Sequence, residues 1–183
     1  TYIIAGALVG KELKIDNIIP EHVETLILKL KEMGVKVDVG LDCVTVSKTD
    51  DIKGVKIKTL GYPGFPTDLQ QPITTLLTQC NGTSILEETI YENRFQNVPY
   101  LNMMGANIKI DGSKIETIGN TPLTGNTVEA TDLRAGACLV LAGLVADGQT
   151  EIKNVDHVLR GYENIIEKLT DVGAKIELIE KDN

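Results

Sequence analysis

Tryptophan is absent from this sequence, and phenylalanine, histidine, cysteine and arginine are scarce: two, two, three and three residues in 183. Each shortage excludes something. Two histidines (His22, His157) and three widely spaced cysteines (Cys43, Cys80, Cys138) lack metal-ligand spacing, so a metal site is not expected. An odd number of scattered cysteines fits reduced, mostly buried thiols and a cytoplasmic location. No apolar run approaches the length of a membrane span, and no basic-then-apolar leader opens the sequence. Basic clusters are missing as well. A net charge of −8 argues against a nucleic-acid surface. Thr1 stands first and leads straight into an apolar pattern, so the sequence is expected to lack its natural beginning.

The scarcity of arginine is the most informative. Fifteen of the eighteen cations are lysines, scattered as surface charge, and the three arginines are Arg94, Arg134 and Arg160. A guanidinium offers a planar fork suited to carboxylate and phosphate, which a lysine does not.

One stretch is rich in turn residues: Gly61-Tyr62-Pro63-Gly64-Phe65-Pro66 runs into Thr67-Asp68-Leu69 and an apolar helical pattern. Thr67 reads as the N-cap of that helix, its oxygen accepting from a free backbone N–H. Asp68 then lies in the first turn, where the helix dipole favours a carboxylate. Thr131-Asp132-Leu133-Arg134 repeats the pattern 64 residues later.

That echo belongs to a threefold repeat. Leu30–Val37, Leu101–Ile108 and Leu169–Ile176 match one another, each a helix end with glycine followed by an alternating strand. Their glycines, Gly34, Gly105 and Gly173, are 71 and 68 residues apart. Gly10, Gly82 and Gly148 precede them by 24, 23 and 25. The units span about 1–60, 61–125 and 126–183. Within them, helices are expected near 3–8, 20–33, 69–79, 98–104, 133–146 and 162–172. Strands are expected over 12–19, 35–39, 43–46, 55–60, 84–91, 150–155 and 174–180, with a hairpin turning at Asp111-Gly112. Helices 69–79 and 133–146 read as apolar nearly all round and should be buried.

The repeat, with Phe65-Pro66-Thr67-Asp68-Leu69-Gln70, Thr89-Ile90-Tyr91-Glu92-Asn93-Arg94-Phe95, Ala130-Thr131-Asp132-Leu133-Arg134-Ala135 and Leu159-Arg160-Gly161-Tyr162, resembles the enolpyruvyl transferases over essentially all 183 residues. The resemblance implies a mixed α/β (α+β) fold, an inside-out α/β barrel of three βαβαββ-type units with helices central and sheets outside. It implies that 1–183 is a single C-terminal domain. An N-terminal catalytic domain, carrying a lysine and a mobile loop with an acid, would lie outside this sequence. None of the three cysteines matches that loop.

Such enzymes move the enolpyruvyl group of phosphoenolpyruvate to an alcohol and release phosphate, without a cofactor. By the resemblance, Asp68 holds the acceptor hydroxyl and receives its proton. The backbone of Ile90 would touch the same nucleotide sugar, UDP-N-acetylglucosamine, while its side chain joins the core. Arg94, Arg134 and Arg160 would hold the carboxylate and phosphate of phosphoenolpyruvate, Arg160 most directly. Arg134 has an alternative, an ion pair with Asp132 at the helix start, and Asp132 reads as a structural cap. The Thr89–Phe95 motif points to the nucleotide-sugar branch, which serves peptidoglycan synthesis. The alternatives are the branch acting on shikimate 3-phosphate and a repeat-built binding module without chemistry. The expected partners are the two small-molecule substrates and the N-terminal domain, not nucleic acid or membrane. The half alone should be inactive.

Overall fold

The structure is a computed structural model that describes residues 1–180. Glycine sets its period. Gly34, Gly105 and Gly173 have φ of +92°, +107° and +99°, a region that a Cβ makes costly. Behind each, an N–H turns back onto the finished helix: Val35 to Leu30 O (2.9 Å), Ala106 to Leu101 O (3.0 Å) and Ala174 to Leu169 O (2.9 Å). Gly10 differs from its counterparts. Its φ is −74°, and it needs to be glycine because a Cβ would lie 2.8 Å from the Gly6 carbonyl oxygen.

The first unit runs α1 (Tyr2–Val9), β1 (Leu13–Asp16), a 3-10 turn at Pro20–Val23, α2 (Glu24–Met33), β2 (Lys36–Val39), β3 (Cys43–Ser47) and β4 (Lys56–Lys58). The expected single helix from 20 divides at Val23, whose φ of −120° and ψ of 19° depart from helical geometry. The second unit continues with a 3-10 turn at Thr67–Leu69, α3 (Gln70–Leu77), β5 (Thr83–Glu87), α4 (Val98–Met103), β6 (Asn107–Asp111) and β7 (Lys114–Ile118). The third comprises β8 (Thr127–Glu129), α5 (Leu133–Val145), β9 (Glu151–Lys153), α6 (Asp156–Gly161) and α7 (Ile165–Asp171).

Three sheets result, ordered β1-β3-β2, β4-β5-β7-β6 and β8-β9. β1–β3, β2–β3, β5–β7 and β6–β7 pair antiparallel, whereas β4–β5 and β8–β9 are parallel. Parallel neighbours need a long crossover. Here the crossovers contain the buried helices, α3 between β4 and β5 and α5 between β8 and β9. Both helices pack on each other and on α1, and the core gathers around this trio. Thr1 Oγ1 and the Tyr162 hydroxyl, 2.6 Å apart, tie the first unit to the third.

Four expectations need correction. α3 is buried along its whole length but is not apolar all round, since Gln70, Gln71, Thr74 and Thr75 lie within it. Its threonines satisfy themselves locally, Thr74 donating to Gln70 O at 2.8 Å. The strand expected over 84–91 ends at Glu87, because the Glu88 carboxylate takes the Ile90 and Tyr91 N–H groups that a strand would offer to a neighbour. α6 was not anticipated; Val158 anchors it against Gly136 of α5, where no side chain would fit. Residues 174–180 form no strand. Ala174 and Ile176 alternate with exposed Lys175 and pack on the apolar cluster under α6 and α7, but no described residue forms a ladder with them.

Burial also sets the chemistry of the thiols. It pushes Cys80 up to about 12, and Cys138 up to about 11 despite bonds from Thr75 and Asn97 that favour the thiolate. Only a thiolate reacts readily, so native protein at pH 8 should be alkylated at half-buried Cys43 well before Cys80 or Cys138. Mass spectrometry of the labelled peptides checks this, with unfolded protein as the reference in which all three react.

Candidate functional site

Both copies of the Thr-Asp-Leu pattern sit at the same point of a β-α-β crossover, between a parallel strand and the start of its buried helix. This is where open α/β folds place ligands. The copies are built differently. In the second, Asp132 is the N-cap of α5, its Oδ1 accepting from the N–H groups of Arg134 (2.8 Å) and Ala135 (2.9 Å). In the first, Pro66 occupies the cap position and makes no side-chain cap. Thr67, expected as the cap, instead donates its hydroxyl to Glu88 Oε2 and accepts from Arg94 Nη1, both at 2.8 Å. A carboxylate and a guanidinium offer stronger partners than a helix amide does.

Asp68 is thereby freed from capping. Its Oδ1 accepts from Arg134 Nε at 2.7 Å and lies 2.6 Å from Nη2. Oδ2 is left without a partner among the described residues, and the side chain is 67% exposed. Arg134 therefore pairs with the aspartate of the other repeat, not with Asp132. Asp132 is already occupied by backbone N–H groups, and an arginine side chain is long enough to reach across from α5 to the Asp68 turn.

The preceding loop is held in shape from both ends. Leu60 N–H bonds to Phe65 O, Gly64 N–H to Gly61 O, and the Phe65 ring is buried. Against this loop opens a cavity of about 210 Å³ lined by His22, Thr25, Tyr62, Thr67, Asp68 and Ile90, among others. A larger cavity, about 350 Å³, lies beside Leu8, Leu76 and Val145 near the other ends of the three buried helices, and none of the four motifs lines it.

Ile90 corrects the reading of its side chain as core: it is 44% exposed and faces the cavity. Its N–H is committed to Glu88 Oε1 at 2.8 Å. Arg94 lies over the Tyr91 ring, 3.9 Å from its centroid, which fixes the guanidinium by cation–π attraction. Arg160 stands apart. It is exposed on α6 with no hydrogen bond or ion pair to the described residues, although Gly161 packs against Leu133, the neighbour of Arg134. The fold thus joins Asp68 to Arg134 directly and Arg94 to the same turn through Thr67, while Arg160 is only adjacent.

Comparison with known proteins decides the lineage. The family model for EPSP synthase (3-phosphoshikimate 1-carboxyvinyltransferase) matches residues 1–169. The chain belongs to the EPSP synthase family. It is 54% identical over 176 residues to UDP-N-acetylglucosamine 1-carboxyvinyltransferase 2 of Geobacillus kaustophilus, covering 96% of this chain and 41% of that relative. It is 53% identical over 179 residues to UDP-N-acetylglucosamine 1-carboxyvinyltransferase of Halothermothrix orenii, covering 98% and 43%. Among solved structures, the enolpyruvyl transferase NikO from Streptomyces tendae superposes with a TM-score of 0.88 at 31% identity, over 95% of this chain and 42% of that one. An EPSP synthase from Acinetobacter baumannii gives 0.63 at 16% identity, over 86% and 39%, a likeness of fold alone. The chain spans about two fifths of the length of these EPSP-family relatives.

Sequence reasoning missed Glu88, the Thr67 hydroxyl and the place of His22 in the cavity wall. The signal for Glu88 was a charged residue at an inward position of an alternating strand, since Ser84, Leu86 and Glu88 are all buried. The Asp68–Arg134 pair is partly solvated, with side chains 67% and 32% exposed. Arg134→Ala should therefore lower stability by less than ~1 kcal/mol in urea unfolding. A larger loss would mean that the pair holds the fold together and is not chiefly part of a ligand site.

Proposed function

We propose that this chain is the C-terminal domain of an enzyme that transfers the enolpyruvyl group of phosphoenolpyruvate to the 3′-hydroxyl of UDP-N-acetylglucosamine, releasing phosphate. The observation that carries the reading is the Asp68 carboxylate. One of its oxygens is held by Arg134, and the other is open beside the cavity that Ile90 lines. In this reading the sugar hydroxyl bonds to Oδ2, O3′ attacks C2 of phosphoenolpyruvate, and Asp68 takes the hydroxyl proton as the C–O bond forms. An acid outside this sequence protonates the vinyl carbon. Loss of a proton from that carbon with departure of phosphate then restores the double bond. Arg94, Arg134 and Arg160 supply positive charge to the carboxylate and phosphate.

Several finer statements belong to the same proposal. The buried helix trio with sheets around it is one inside-out α/β barrel, and the N-terminal domain closes over the end where Asp68 lies. Closure brings Arg160 to the phosphate and excludes water, so the C-terminal half alone is inactive. The enzyme works in the cytoplasm, in peptidoglycan synthesis. Among the described residues no helix is long and apolar enough to cross a membrane.

The test is phosphate release by the full-length polypeptide offered either acceptor. Saturation by UDP-N-acetylglucosamine supports the proposal, and turnover with shikimate 3-phosphate alone would transfer the chain to the other branch. Asp68→Asn in the full-length protein should reduce kcat by about 100-fold or more, the low end for a proton-transfer group. Near-normal turnover would remove Asp68 from the mechanism. Arg160→Ala should raise KM for phosphoenolpyruvate by about 10-fold or more, as expected for loss of a charged contact. An unchanged KM would leave Arg160 without a role there.

A further inference from the structure

Glu88 is the only buried carboxylate among the described residues, 3% exposed, and the mechanism above gives it nothing to do. A buried charge with no basic group on it is costly unless hydrogen bonds compensate. Four do. Oε1 accepts from Thr59 Oγ1 (2.8 Å), Ile90 N–H (2.8 Å) and Tyr91 N–H (3.2 Å), and Oε2 accepts from Thr67 Oγ1 (2.8 Å).

The donors come from three separate segments. Thr59 follows β4, Thr67 opens the turn that carries Asp68, and Ile90 and Tyr91 lie in the loop after β5. Thr59 also receives the N–H of Thr89 on its hydroxyl at 2.8 Å and the Thr89 hydroxyl on its carbonyl, so the first and third segments are stitched twice. The Thr67 hydroxyl has one proton. With that proton directed to Glu88, its lone pairs face Arg94, and the guanidinium is oriented through it.

We propose that Glu88 is the positioning residue of the acceptor site. One carboxylate holds the Asp68 turn and the Ile90 loop at a fixed separation, so that both sides of the nucleotide-sugar cavity are set before substrate arrives. The proposal rests on the reading of Asp68 and Ile90 as acceptor-binding groups. Glu88 itself touches no substrate. Removing it leaves the Ile90 and Tyr91 amides and the Thr67 hydroxyl short of an acceptor, and the two walls of the cavity drift apart.

The experiment is steady-state kinetics on the full-length polypeptide, with hydrogen exchange of the peptide spanning residues 88–91 measured in parallel. Glu88→Ala should raise KM for UDP-N-acetylglucosamine by about 10-fold or more, the scale of losing a hydrogen bond to a charged group. KM for phosphoenolpyruvate should rise less, staying within about 3-fold, because Arg94 keeps the Thr67 oxygen and the Tyr91 ring as partners. Glu88→Gln keeps an acceptor for the two amides and should recover most of the loss. Thr67→Val cuts the link from Glu88 to the Asp68 turn together with the Arg94 contact, provides a second variant if the alanine protein does not fold, and should raise the same KM. Equal rises in both KM values, or a glutamine variant as impaired as the alanine one, would overturn the proposal. If the wild-type protein does not turn over UDP-N-acetylglucosamine, the functional reading fails, and exchange then decides the clasp separately. Faster exchange of residues 88–91 in Glu88→Ala supports it, and unchanged exchange overturns it.

Discussion

The hydroxyl of Thr75 in α3 donates to the carbonyl of Cys138 in α5 at 3.0 Å and sits 3.2 Å from its sulfur, in a place where both residues are wholly buried. Asn97, at the cap of α4, reaches the same sulfur at 3.4 Å. Water cannot replace these partners, so separating the helices here would strand polar atoms in the interior. The contact fixes how α3 lies on α5. With that fixed, the start of α3 and the start of α5 face each other closely enough for Arg134 to reach Asp68. An ion pair at the surface is thus located with the help of a hydrogen bond in the core.

The site itself is graded by burial. Asp68 is exposed, Arg134, Thr67 and Arg94 are intermediate, and Glu88 is buried. A group that must meet ligand is useful only where ligand can reach it, whereas a group that orients others works best where water does not compete. The two Thr-Asp-Leu copies have diverged along this line. Asp132 spends its oxygen on backbone amides and stabilises a helix, while Asp68 leaves the capping place to Pro66 and keeps an oxygen free.

Much of the chain organisation was readable because it rests on short-range rules. Glycines with positive φ end the helices, alternating segments become strands, and the hairpin at Gly112 turns where its sequence says it should. The readings that failed did so where a distant group intervened. Strand 84–91 is cut short by its own glutamate, once that side chain is held by Thr59 and Thr67 from elsewhere. Residues 174–180 keep the alternation of a strand, but a strand also needs a neighbour, which alternation cannot supply. Thr67 has the composition of a cap and loses that role to two charged partners that lie 21 and 27 residues further along the chain.

The sequence by itself determined the threefold repeat, the placing of all three arginines within shared motifs, and the family, since each depends on residue identity and spacing along one chain. Only the tertiary structure decided that Arg134 answers Asp68 and not its neighbour Asp132, that Ile90 is outside the core, and that Glu88 joins three segments. Those outcomes depend on which side chains from different repeats come within hydrogen-bonding distance. The packing of buried helices sets that distance, and the local pattern of neither repeat contains it.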